Sequence, residues 1–278
     1  EAAGFRPYRM PFVSSNGFFN NIAITLTQAR RVNRADVETY LARIRALPGY
    51  FDQQIANMRD GIETGFTMPR EIMDGVLGVV GAQVVDSVDA HPLWAPFESL
   101  PAGLTEEEQR DLRAAGRQAI EELAMPAYER VYRFFRDEYL PAARTSIAAT
   151  ELPEGREWYL HLLRFNTTLD DATPDAIHAT GLAEVARIRR QMQDIIDELN
   201  FDGDLEAFLD FLRTDPRFYA QTPDELLKEA AFIAKRIDGI LPAYFNKLPR
   251  EPYGVFPVPP DLAPNYTTGR YSPGVPGG

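Results

Sequence analysis

The chain contains no cysteine. That absence removes disulfides, thiolate metal ligands and cysteine nucleophiles together, and it leaves the compartment open, since secreted and cytosolic proteins can both do without the residue. Histidine is nearly as scarce, with His91, His161 and His178 the 3 copies in 278 residues. Zinc takes three or four His, Cys or carboxylate ligands, and no H-E-x-x-H occurs, so the sequence gives no reason to expect a metal or catalytic residue set within the chain. Long apolar runs are missing too. VLGVVGAQVV, from Val76, falls far short of the roughly 20 residues that span a bilayer. Positive charge is in deficit: 29 Lys and Arg against 41 Asp and Glu leave a net charge of −12. A field of that sign repels phosphate backbones and anionic headgroups, so neither nucleic acid nor a membrane span is expected.

What is present is ordinary globular material, 45% hydrophobic and 25% charged. No initiator Met or signal sequence stands at Glu1, and GVFPVPPDLAPNYTTGRYSPGVPGG at the other end holds too much Pro and Gly for a helix or a central strand. We expect an interior piece of something longer, with a helical domain over 1–248 and an extended tail over 249–278. Val255, Phe256 and Val258 should lay that tail along the helical body.

Between the ends the signals are helical. Asn33 caps VETYLARIRAL, whose Val37, Tyr40, Leu41, Ile44 and Leu47 recur at three and four, and Pro48-Gly49 should stop it. A second helix runs from about Tyr50 to Gly65, and a third opens at Pro69. His91, Pro92, Pro96 and Pro101 mark 86–103 as a loop. Thr105 and Glu108 form a capping box for a long helix, bent or interrupted at Pro126 and Pro141. Trp158, Leu162 and Phe165 form the stripe of another. Thr173-Pro174 and Thr222-Pro223 begin two long helices, the second with a capping box closed by Glu225, and LEAFLDFLRTDP makes a shorter one between them. Strand alternation and fixed-period repeats are lacking. The fold class is mainly α, an elongated multi-helix array ending in a Pro/Gly-rich tail.

The chemistry-bearing residues admit bland readings and functional ones. His178 lies at the edge of the stripe Leu182, Val185, Ile188, Met192, Ile196 and Leu199, and so faces inward; a buried neutral imidazole and a site role both remain open. SSNG at 14–17 reads as a polar turn, and TEEEQRDLRAAGR as a solvated helix face. In RTDPRFY, Arg213 and Asp215 read as a helix-ending ion pair with a site role as the alternative.

Five blocks, RPYRMPFVSSNG, YLARIRALPGYFDQQIANMRDGIETGFTMPR, LLRFNTTLDDATPDAIHATGLAEVARIRRQM, FLRTDPRFYAQTPDELL and LPREPYGVFPVP, follow one another over nearly the whole chain. Together they resemble the bacterial family called domain of unknown function 885. The resemblance implies an α-helical, metallopeptidase-like hydrolase whose zinc signature, a His-Glu pair followed by Pro-Gly-His-His, comes downstream of Gly278. It also implies an N-terminal portion before RPYRMPF. On that likeness residues 1–278 form one wall of a substrate channel. The missing C-terminal half supplies zinc and a general base, and a peptide is the substrate. His178, Glu184, Arg164 and Arg213 would orient substrate, and Tyr271 would point toward the active site. Some relatives of this kind are exocytoplasmic lipoproteins, but the chain carries no localisation signal, and exocytoplasmic and cytoplasmic placements both stay open. A helical binding or scaffold module without turnover is the alternative. The segment alone is expected to hold no stoichiometric zinc; equilibrium dialysis that finds one tightly held zinc per chain, lost in His178→Ala, would overturn this.

Overall fold

The computed structural model describes residues 2–13, 16–27, 29, 31–250, 252–258, 263, 269 and 271. Its contacts divide the chain into two compact units, Glu1–Asn166 with Pro260–Gly278, and Thr167–Pro259. The division falls inside the stretch that the helical signals run through without a break.

The first unit opens with a short hairpin, β1 (Phe12–Val13) and β2 (Asn16–Gly17), paired antiparallel with Phe12 opposite Gly17. Strand signals this short do not show as alternation. Ser14 and Ser15 of the expected polar turn lie outside the described residues. The hairpin leads into α1 (Phe18–Thr27), followed by α2 (Arg34–Glu63). Asn33 caps α2 as expected, accepting from the Asp36 amide at 3.0 Å.

Pro48-Gly49 does not stop α2. The helix runs through both residues and buries Ile44, Leu47, Phe51, Ile55 and Met58 on one continuous face. A proline inside a helix costs about 3 kcal/mol, whereas each fully buried large apolar side chain returns about 1.5–3 kcal/mol. Packing outweighs the local stop signal. Gly65, in the left-handed region at φ 72, ends the helix instead. The Phe66 amide reaches the Gly61 carbonyl at 2.7 Å and the Gly65 amide reaches Ile62 at 3.2 Å, the paired bonds of a Schellman stop.

Next come α3 (Met73–Gly81), α4 (Ala95–Glu98) and a long rod. The rod starts as α5 (Glu106–Ala119), with the Thr105–Glu108 capping box complete, and its charged run is solvated while Leu112, Gly116 and Ala119 face inward. It continues through a π turn at Ile120–Ala124 into α6 (Met125–Phe134), and through another at Phe135–Tyr139 into α7 (Leu140–Ala142). The ladder steps from i−4 to i−5 just before each proline: the Met125 amide reaches the Ile120 carbonyl, and Leu140 reaches Phe135. Pro126 and Pro141 each lack an N–H and would crowd the carbonyl four residues back, so the rod widens there rather than breaking. The stretch 86–103, expected as a loop, is a series of short helical turns that includes α4, and it belongs to the core, burying His91, Leu93, Trp94 and Phe97. A final helix, α8 (Gly155–Thr167), buries Leu163 and half-buries Trp158, while Leu162 and Phe165 are exposed; the Trp158 indole lies tilted against Phe66, 5.0 Å between centroids.

In the second unit lie α9 (Pro174–Glu198), α10 (Leu205–Thr214) and α11 (Pro223–Tyr244). Thr173 and Thr222 cap α9 and α11 as expected, each accepting at 3.2 Å. The Glu225 carboxylate, however, accepts from Gln221 at 2.7 Å, one residue before the cap. Of the tail anchors, Phe256 is 82% exposed and Val255 is exposed too. Tyr253 makes the attachment, its hydroxyl donating to the Ala234 carbonyl at 3.1 Å and to Asp238 at 3.0 Å on α11. The mainly α class holds.

Gly61 offers a check on the packing. A Cβ there would stand 2.8 Å from the Phe66 carbonyl oxygen and 3.0 Å from that of Arg9, both backbone atoms that cannot swing away. Gly61→Ala should therefore destabilise by about 2 kcal/mol or more. Gly78→Ala, on an open face of α3, should stabilise by about 0.5–1 kcal/mol. Urea denaturation of both variants measures the contrast.

Candidate functional site

Helix α9 is amphipathic, yet its apolar stripe is bare. Apart from Ile196, which is buried, the members of that stripe, Leu182, Val185, Ile188, Met192 and Leu199, are 41–61% exposed, as are Ile177 and Ile195 beside them. Glu184 stands at the edge of the stripe, held by Arg187, whose Nε and Nη2 donate to its Oε2 at 2.9 and 2.7 Å. Both bonds fall on Oε2, which leaves Oε1 directed elsewhere.

The other sequence candidates belong to different elements of the two units. His178 is exposed, not turned inward as its place at the stripe edge implied. Periodicity locates a face but does not reveal whether anything covers it. Arg213, on α10, pairs with Asp210 at 3.5 Å, both well exposed. Its expected partner Asp215 instead binds Arg217 across Pro216, at 2.8 Å. Asp215 also caps that turn, accepting from the Arg217 amide at 2.9 Å. Hydrogen bonds from the Arg217 side chain, and then from its amide, hold the Asp215 carboxyl below the usual range. Arg164 is exposed near the end of α8, and Tyr271 is 85% exposed. Within the second unit, the hydrogen bonds and ion pairs of the described residues join none of His178, Glu184 and Arg213 to another.

Two features of the first unit escaped the sequence. The buried imidazole is His91, 1% exposed. Its Nδ1 accepts from the Leu93 amide at 3.2 Å, fixing the ring in the loop, and it packs 5.4 Å from the Tyr128 ring. Its Nε2 and both polar atoms of the Gln83 side chain have no hydrogen-bond partner among the described residues. Burial pushes the imidazole down to about 4 from 6.5. The sequence clue was Pro92, which fixes a turn start directly after the histidine. The second feature is a charged groove of about 370 Å³, lined by Asp52, Ile55, Arg59, Arg130, Phe134 and Glu138 among others. Arg59 grips Glu138 with two bonds, at 2.8 and 2.7 Å, and Arg130 meets Asp52 at 3.3 Å. The charges satisfy one another in solvent, where such pairs contribute about 0–1 kcal/mol. This is a solvated seam, not an unbalanced charged pocket.

The chain matches the model of the family described as bacterial protein of unknown function (DUF885) over residues 2–278. It belongs to that family. No curated protein matches it. Among solved structures, its fold is similar to that of a candidate lipoprotein from Colwellia psychrerythraea, with 20% identity and a TM-score of 0.76, over 86% of this chain and 43% of the other. This DUF885 chain thus spans under half the length of that protein. Among the described residues no helix is long and apolar enough to cross a membrane. Nor is any group of three or more His, Cys, Asp or Glu placed to hold a metal ion.

His91 sets a pH signature. Its folded value lies below its ordinary one, so the unfolded chain binds the extra proton, and stability present above pH 6.5 is lost as pH falls toward 4. The loss should approach about 3 kcal/mol. The carboxylates paired with arginine titrate below their ordinary 4.5, so the interval from 6.5 to 4.5 isolates the histidine. Chemical denaturation across it should show a slope that His91→Gln flattens.

Proposed function

We propose that this chain is the non-catalytic helical portion of a zinc-dependent peptidase or amide hydrolase, and that it forms one wall of a substrate channel. Metal and general base are supplied by polypeptide outside these 278 residues. The observation that carries the reading is the face of α9, where an exposed apolar stripe runs beside Glu184 and His178. A surface of this mixed character suits an extended peptide, whose side chains and backbone ask for both kinds of contact. Glu184, oriented by Arg187, presents Oε1 to a peptide amide or amino group. Arg164 and Arg213 offer guanidinium forks to a carboxylate. His178 can donate or accept, and Tyr271 adds an exposed phenol. Likeness to a fold carried by a chain about twice as long supports the assignment of the chemistry elsewhere.

A helical scaffold without turnover uses the same surfaces. The two readings separate in an assay. The product of the complete reading frame should hydrolyse peptides, and His178→Ala and Arg213→Ala should each lower kcat/KM by tenfold or more. Because both residues are exposed, each should shift stability by no more than about 0.5 kcal/mol. Unchanged turnover in both variants would reject the wall role, and absence of turnover in the parent would favour the scaffold.

A further inference from the structure

The second unit has almost no interior of its own. Between Thr167 and Pro259 one described side chain, Ile196, is fully buried. Meanwhile α9 bares its stripe from Ile177 to Leu199, and α11 bares Leu226, Ile233, Ile237, Ile240 and Tyr244 at 47–76% exposure. At 1.5 Å per residue these are stripes of about 33 and 27 Å. Exposed apolar patches of such extent mark surfaces that something covers. The spacing is informative. Ile177, Gly181, Val185, Ile188, Met192, Ile195 and Leu199 step by threes and fours, as do Ile233, Ile237, Ile240 and Tyr244. That alternation is the seam of helix-on-helix packing, in which a partner helix lies nearly parallel and seats its own apolar residues between these.

A second copy of the chain is a poor occupant, because it brings a net charge of −12 against another −12. The solved relative points to a different one: this arrangement accounts for 43% of that chain, leaving more than half of it to pack elsewhere. We propose that the apolar stripes of α9 and α11 are an intramolecular docking surface for amphipathic helices from the remainder of a longer polypeptide. This rests on the reading that these residues are one wall of a larger enzyme. It adds that the covering helices seat on the stripe and leave its polar margins, with His178 and Glu184, to face the channel.

Hydrogen exchange, followed by mass spectrometry without substrate, tests it on the 278-residue chain and on the product of the complete reading frame. Residues 177–199 and 226–244 should exchange at least a hundredfold more slowly in the longer protein. The pair Val185→Lys with Met192→Lys should leave the melting temperature of the 278-residue chain unchanged or raised, and lower that of the longer protein by several degrees. Equal protection in the two proteins, or tolerance of the lysines in the longer one, would overturn the proposal. Protection in the short chain that grows with concentration, with sedimentation at twice 31.3 kDa, would assign the surface to a second copy and overturn it too. Docking is read here without turnover. Protection in a longer protein that cleaves no peptide would therefore keep the docking surface and reject the hydrolase.

Discussion

The first unit depends on the way two prolines reshape one helical rod. Just ahead of Pro141 the ladder widens into the π turn Phe135–Tyr139, and there Phe134, Phe135 and Tyr139 are all buried. A regular α-helix turns 100° per residue and does not easily send adjacent large side chains inward; the wider turn does. Phe135 then meets Phe12 and Phe19 edge to face, at 5.1 and 5.7 Å, and Tyr139 meets Phe12 at 5.2 Å. Each such pair adds about 0.5–1.5 kcal/mol beyond its buried area. The hairpin, α1, α2 and the rod converge on this cluster.

Buried tyrosines tie the irregular segments to it. The Tyr40 hydroxyl donates to the Leu93 carbonyl at 2.8 Å, Tyr128 donates to Phe19 at 3.1 Å, and the Met68 amide donates to Tyr139 Oη at 2.9 Å. Each bond satisfies a phenol that burial would otherwise penalise and fixes a backbone group of a non-helical segment or helix start. A Pro-rich loop thus becomes part of the interior, and His91 is carried in with it. At Tyr40 burial raises the phenol far above its ordinary value, the nearby Arg31 only partly opposing it, and puts it beyond any use as an acid near neutrality.

The two units differ in how they meet the requirement to bury apolar surface. One encloses a contiguous core that runs from Phe12 to Ala143. The other has well-capped helices, internally paired charges and apolar stripes left open. Caps and i,i+3 or i,i+4 ion pairs such as Lys228–Asp224 contribute about 0.3–2 kcal/mol each at most, which orders helices but does not hold them together. The function proposed for this chain therefore rests on surfaces, and α9 combines apolar and chemistry-bearing residues on one of them.

The sequence by itself determined the helices. Caps at Asn33, Thr105, Thr173 and Thr222, the glycine stop at Gly65 and the disturbances at Pro126 and Pro141 are local events, encoded within a few residues and visible as such. The family blocks were legible for the same reason. Tertiary structure decided what the local signals leave open: that α2 passes through Pro48, that the buried imidazole is His91 rather than His178, and that Asp215 takes Arg217 rather than Arg213. A periodic stripe states which side chains share a face. Whether that face is covered depends on atoms distant in sequence, or in another part of the polypeptide, and no window of residues along a helix contains that information.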